Sequence, residues 1–262
     1  PHQWAPPAVV EDALEWLDLK AMQAGTARPD AAFIHRLLEK TRGEADEAAR
    51  RGDALTQYYA LRSLAVDFKG LEEVSQFEAR LRELKSSKTL KKAAQQERQE
   101  IDKQESLTAA PQSQLGQLGQ APPEVQAAFK QQITSAMSDM RRRAKSNSND
   151  HALYARAFNQ LWIQGIEAGQ DQFRRGEFPA AAVYFELMAD VAPDQPWPAL
   201  LLAETRVRQG NKKAALKALE EAVKRGLKRP ETLTQDPELA PLAQEPEFRK
   251  IVEGLNQSPG GR

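Results

Sequence analysis

The stretches GQDQFRRGEFPAAAVYFELMADVAP at residues 169–193 and AETRVRQGNKKAALKALEEAVKRG at residues 203–226 are two versions of one pattern. Gly169, Gly176, Phe178, Ala181, Phe185 and Pro193 fall in order in the first, and Ala203, Gly210, Ala215, Leu219 and Ala222 take the corresponding places in the second. From Gly176 to Gly210 the chain advances 34 residues. Small residues let two helices approach closely, Gly supplies the turn between them, and a large apolar residue fills the space beside the crossing. Pro193 has no backbone N–H to continue a helix and closes the first copy. Repetition at this period marks stacked helical pairs, each burying the apolar face its neighbour leaves open.

Downstream, Asp236-Pro237 and Glu245-Pro246 read as helix starts with Pro in the first turn, so two short helices are expected. Phe248, Ile251, Val252 and Leu255 form a stripe at helical spacing that can cover the open end of the stack, as a solenoid requires. Residues 256–262 read as a disordered tail. Upstream, residues 8–22 carry Val10, Leu14, Leu17 and Ala21 on one face. Asp30 can cap a helix bearing Phe33, Ile34, Leu37 and Leu38. A third helix runs over 53–68 with Tyr58, Leu61, Leu64 and Ala65, and a fourth over 72–84 with Val74, Phe77, Leu81 and Leu84. Residues 88–105 are polar nearly all round and read as a solvated connecting helix. The Gln, Gly and Pro content of 108–123 reads as a flexible linker, followed by a helix over 124–143.

The fold class expected is therefore all-α: antiparallel helical hairpins in a short solenoid with terminal cap helices. Residues 25–107 form a helical hairpin region with its polar connecting helix, 108–123 the linker, and 124–255 a repeat domain. Its copies occupy about 162–195 and 196–229, with the cap at 230–255.

The 34-residue period with this small/small/large pattern resembles the tetratricopeptide repeat. Gly165 departs from it, standing where the family has a large residue, and the second copy lacks a closing Pro. The resemblance implies a non-catalytic protein-interaction module whose partner lies on the concave face made by the first helix of each pair. That face would carry Ile163, Ile166, Gln170, Phe173 and Arg174 in one copy and Trp197, Leu200, Glu204, Val207 and Arg208 in the other. Gln170, Phe173, Arg174, Trp197, Glu204 and Arg208 are the candidate protein-binding residues. Members that clamp a C-terminal carboxylate use Lys, Arg and Asn there; Ile166, Gln170 and Leu200 in this chain speak against a clamp. Apolar residues on this face also fit self-packing, for instance against helix 124–143.

Pro1-His2-Gln3-Trp4-Ala5-Pro6-Pro7, followed directly by the amphipathic helix 8–22, resembles the last catalytic loop and closing helix of secreted α/β-hydrolases of the esterase and dienelactone-hydrolase type. In that family the triad runs Ser, acid, His. The resemblance implies that residues 1–24 are the end of a hydrolase domain, that His2 would be the triad base, and that the rest is a C-terminal extension of a larger bacterial protein, docked on that domain. It also implies a periplasmic or secreted location. The bland alternative is an incidental His in an exposed tail. No G-x-S-x-G elbow and no β–α alternation occur, so this chain alone is not expected to be an enzyme. If helix 8–22 has lost a sheet, Val10, Leu14 and Leu17 should be uncovered.

The composition narrows the remaining classes. Of 262 residues 40% are hydrophobic, 28% charged and 6% aromatic, with mean hydropathy -0.65, which reads as a soluble helical chain. Lys plus Arg and Asp plus Glu are both 37, so no global field draws it to nucleic acid or an anionic bilayer. Cys is absent, which removes disulfides, thiolate metal sites and thiol nucleophiles. His35 and His151 have no second ligand at i+3 or i+4, and neither metal nor cofactor is expected. Apolar runs of a few residues are far short of the roughly 20 that span a bilayer. Gly116-Gln117-Leu118-Gly119 lacks the Lys-Ser/Thr grip of a P-loop. Arg141, Arg142, Arg143 and Lys145 complement the dipole at a helix end without invoking nucleic acid.

Overall fold

Helix signals dominate the chain, and a computed structural model, which describes residues 6–257, is all-α. Contacts divide it into Pro1–Glu100 and Ile101–Arg262.

The N-terminal unit holds α1 (Pro7–Gln23), α2 (Ala31–Arg51), α3 (Ala54–Val66), α4 (Ser75–Ser86) and the start of α5 (Lys88–Leu118). Asp30 and Asp53 accept from the backbone N–H groups of Phe33 (3.0 Å) and Thr56 (3.1 Å), each three residues on, which begins α2 and α3 where the sequence predicts. Such a cap contributes about 1 kcal/mol. Leu19, Ile34, Leu38, Leu61, Leu64, Phe68 and Phe77 interlock as the core. The Gln23 side-chain amide donates to the carbonyls of Val66 (2.8 Å) and Lys69 (3.1 Å), tying the end of α1 to the end of α3.

The division between units falls within α5, and that helix corrects the linker expected at 108–123. Helix continues to Leu118, through Pro111. Thr108, Pro111, Leu115 and Leu118 are buried, a spacing of three, four and three that makes one helical stripe. A Pro in a helix interior destabilises it by about 3 kcal/mol, and burial of this stripe offsets that. The Tyr184 hydroxyl donates to the Leu115 carbonyl (2.8 Å) and accepts from Gly119 N–H (3.1 Å), satisfying backbone groups where α5 ends. A methyl on Gly119 would lie 2.9 Å from the Tyr184 ring, so the close approach uses the missing side chain.

In the C-terminal unit α6 (Pro123–Ala144) packs on α7 (His151–Arg174) and α8 (Phe178–Val191) through Ile133, Met137 and Met140. Next come α9 (Trp197–Arg208), α10 (Lys212–Lys224), the short α11 (Glu231–Thr234), a 3-10 helix (Pro237–Leu242) and α12 (Pro246–Gln257). The two turns 34 residues apart are alike in detail. Gly176 (φ 79) and Gly210 (φ 72) are left-handed, donate to the carbonyls of Phe173 and Val207, and are followed by N–H groups that reach back to Gln172 and Arg206. Gly169 lies under Phe185, whose ring would be 2.6 Å from a methyl placed there, and Gly165 lies under Met188. Helices α7 and α8, and again α9 and α10, are thus joined by left-handed Gly turns of the same geometry. Leu200, Ala203 and Leu219 join Leu239, Leu242, Phe248 and Leu255 of the cap in one core.

Candidate functional site

The last turn of α7 and the facing stretches of α8 and α9 enclose a cavity of about 240 Å³ lined by Gln170, Phe173, Arg174, Phe185, Leu201 and Glu204. Gln170, Phe173 and Arg174 share one helix face through their spacing, while Gly169 beneath lets Phe185 close the floor. Four of the six candidate protein-binding residues are therefore brought together. The other two are engaged elsewhere. Trp197 is half-buried, packing on the cores beside α8 and α10. Arg208 lies over the Phe178 ring at 5.2 Å and pairs with Glu238 of the 3-10 helix at 3.4 Å. Leu200 is fully buried in the core, whereas Ile163 is exposed.

Glu204 is the electrostatic centre of this region. Burial first, then the charge of Asp236 and a hydrogen bond to it, then the charge of Glu238, push its carboxyl up to about 8. At neutral pH it is largely protonated. Across the cavity Arg174 is exposed and bridges to Asp171 at 3.5 Å. An aromatic and aliphatic floor is thus rimmed by an amide, a guanidinium and a neutral carboxyl, groups suited to hold a side chain.

Phe185 and Leu201 complete the pocket, although their apolar character in the sequence marks them only as core. Asp236 and Glu238 have a sequence signal as a helix start, and nothing in the sequence brings them to Glu204.

A second surface belongs to the N-terminal unit. Helix α1 buries Glu15 and Leu19 and leaves Val9 (54%), Leu14 (57%), Trp16 (47%) and Leu17 (55%) exposed, with Val10 beside them. Glu15 is pinned by Arg36 (2.6 Å) and Lys40 (2.8 Å), hydrogen bonds that lower its pKa, and Lys40 also holds Asp12 at 2.6 Å. The polar edge of α1 therefore faces its own unit and the apolar face points outward.

His2 lies outside the described residues. His35 and His151 are exposed, and His151 Nδ1 lies 3.0 Å from the Ser148 carbonyl. Among the described residues no group of His, Asp or Glu is disposed to hold a metal, and no helix is long and apolar enough to cross a membrane. In the basic end of α6, Arg141 and Lys145 pair with Asp194, and Arg142 and Arg143 with Asp139. Comparison with known proteins finds no matching family model, curated protein or solved structure.

Proposed function

We propose that this chain is a non-catalytic protein-interaction module of tetratricopeptide type, the C-terminal extension of a larger hydrolase-like protein, that takes a peptide segment of a partner in the α7–α8–α9 pocket. The observation that carries the reading is the convergence of Gln170, Phe173, Arg174 and Glu204 around one apolar floor. Aromatic and Arg side chains at the edge of a cavity are the groups that dominate peptide hot spots. Trp197 and Arg208 act behind it, as packing and as a tie to the cap. A displayed peptide library panned on the full chain tests this. Enriched peptides should lose about tenfold in affinity on Arg174→Glu with Gln170→Ala, a change of about 1.4 kcal/mol. Equal binding to this surface variant, or no enrichment, removes the pocket from the function.

One observation favours a second reading, in which the chain is part of a serine hydrolase and His2 is its general base. The outward apolar face of α1 suits a helix that closes a folded domain. Its check is the coding sequence upstream of Pro1, where a G-x-S-x-G elbow is expected; an upstream sequence without one sinks both this reading and the hydrolase parentage of the first.

A further inference from the structure

Between α1, α2 and α3 the N-terminal unit holds a cavity of about 330 Å³. Helical spacing brings Asp12, Trp16 and Leu19 of α1 to it on one face, and Leu37, Lys40 and Glu44 of α2 on another. Helix α3 closes the third side with Tyr59 and Ala60, and Phe68 follows just beyond it. Leu19, Leu37, Ala60 and Phe68 are buried and make an apolar floor. A volume at the lower end of the roughly 300–1,000 Å³ of ligand pockets suits one long side chain.

The charges around this floor do not balance. Glu15 accepts from Arg36 at 2.6 Å and from Lys40 at 2.8 Å, and Lys40 also reaches Asp12 at 2.6 Å. Glu44 is exposed and has no ion-pair partner among the described residues. The three carboxylates Asp12, Glu15 and Glu44 thus meet two cations, Arg36 and Lys40, and one negative charge is left over. The hydroxyl hydrogens of the lining are committed elsewhere: Thr41 donates to the Leu37 carbonyl (2.9 Å), Thr56 to Asp53 (2.7 Å) and Ser63 to Asp67 (2.8 Å). Glu44 therefore remains to receive a charged donor.

The aromatic residues point the same way. Among those described in this unit, Phe68 and Phe77 are buried in the core. Phe33 and Tyr58 each carry a cation of the chain itself, Arg36 at 5.2 Å and Lys85 at 5.9 Å from the ring centre. Trp16 and Tyr59 are 47% and 51% exposed, and no cation of the described residues lies over either ring. Both line the cavity that lacks one positive charge. An aromatic face attracts a cation through its quadrupole.

We propose that the α1–α2–α3 cavity seats an arginine side chain presented by a basic segment of a partner protein. The methylene stem lies on the apolar floor, the guanidinium stacks on an aromatic wall, and its edge donates to Glu44. A planar guanidinium can stack and donate at once, which an ammonium cannot, so arginine suits the cavity better than lysine. The site belongs to the N-terminal unit and stands whether or not the pocket lined by Gln170 and Phe173 binds a peptide.

Titration of the full chain at low salt with short capped peptides that alternate Ala with Arg, Lys or citrulline, followed by NMR at the Trp16 indole N–H, tests this. The Arg peptide should shift the signal saturably. The citrulline peptide, of the same shape without the charge, should bind at least about tenfold more weakly, and the Lys peptide should fall between them. Glu44→Gln changes one exposed side chain, so it should leave thermal unfolding unchanged while weakening the Arg peptide about fivefold. Equal binding of the citrulline peptide, an Arg peptide indifferent to Glu44→Gln, or no saturable shift overturns the proposal. A Lys peptide that binds as tightly as the Arg peptide excludes guanidinium recognition. A Trp16 signal that moves on dilution of the chain alone gives the cavity to a second copy and overturns it as well.

Discussion

Helices α1 and α7 are both rich in apolar residues, and they meet opposite fates. Helix α7 has α6 and α8 packed against it and buries Leu153, Ala157, Leu161, Gly165 and Gly169 along its length. Helix α1 is fixed to its unit by Leu19 and by the carboxylate of Glu15, and its broadest apolar face is bare. An amphipathic pattern therefore states that a helix has an apolar side, without stating what covers it. In α7 the cover is in the same chain and Gly169 is shaped to it. On α1 the charged edge has partners in Arg36 and Lys40, and the apolar side is exposed.

The largest expected effect breaks the α7 side of this contrast. Phe185→Ala should empty the space over Gly169 and destabilise the C-terminal unit by about 3–5 kcal/mol, measured by denaturant unfolding; a loss under about 1 kcal/mol would mean that the α7–α8 seam is not close-packed. A smaller effect is expected at the mount of α1. Glu15 has two ion-pair partners that are partly exposed, so Glu15→Gln should cost about 1 kcal/mol at neutral pH. The Glu15 pKa is lowered in the folded state, so its contribution is present above the ordinary glutamate range and disappears as pH falls through the lowered value. The difference between wild type and the Gln variant should accordingly shrink in acid, and a difference independent of pH would detach Glu15 from the mount. The smallest effect sharpens the comparison most. Leu14→Ser with Leu17→Ser should change the unfolding free energy of this chain by no more than about 0.5 kcal/mol, because both side chains are already in water. A loss of several kcal/mol would show that the chain covers this face itself.

Much of the helical outline is legible in the residues. Asp30 and Asp53 as caps, Gly176 and Gly210 as turns, and the Pro-started segments at Pro237 and Pro246 all stand where short-range chemistry puts them. The stretch 108–118 was not legible as helix. Gln, Gly and Pro suggested a linker, and the stripe of Leu115 and Leu118 gains its meaning only from the α6–α7–α8 core that buries it. Of the six candidate binding residues, Gln170, Phe173, Arg174 and Glu204 line one pocket, whereas Trp197 packs on the cores beside α8 and α10 and Arg208 is held by Phe178 and by Glu238 of the 3-10 helix, a partner that the sequence does not point to.

Caps and turns act within a turn or two of the chain, so local sequence is sufficient to specify them, and the 34-residue spacing is read directly from residue order. Which face of α1 is covered, whether a Pro-containing segment stays helical, and whether Glu204 keeps its proton depend on groups brought together from distant positions. Glu204 and Asp236 lie on separate elements, and only the tertiary fold buries the Glu204 carboxyl and brings the Asp236 charge to bear on it.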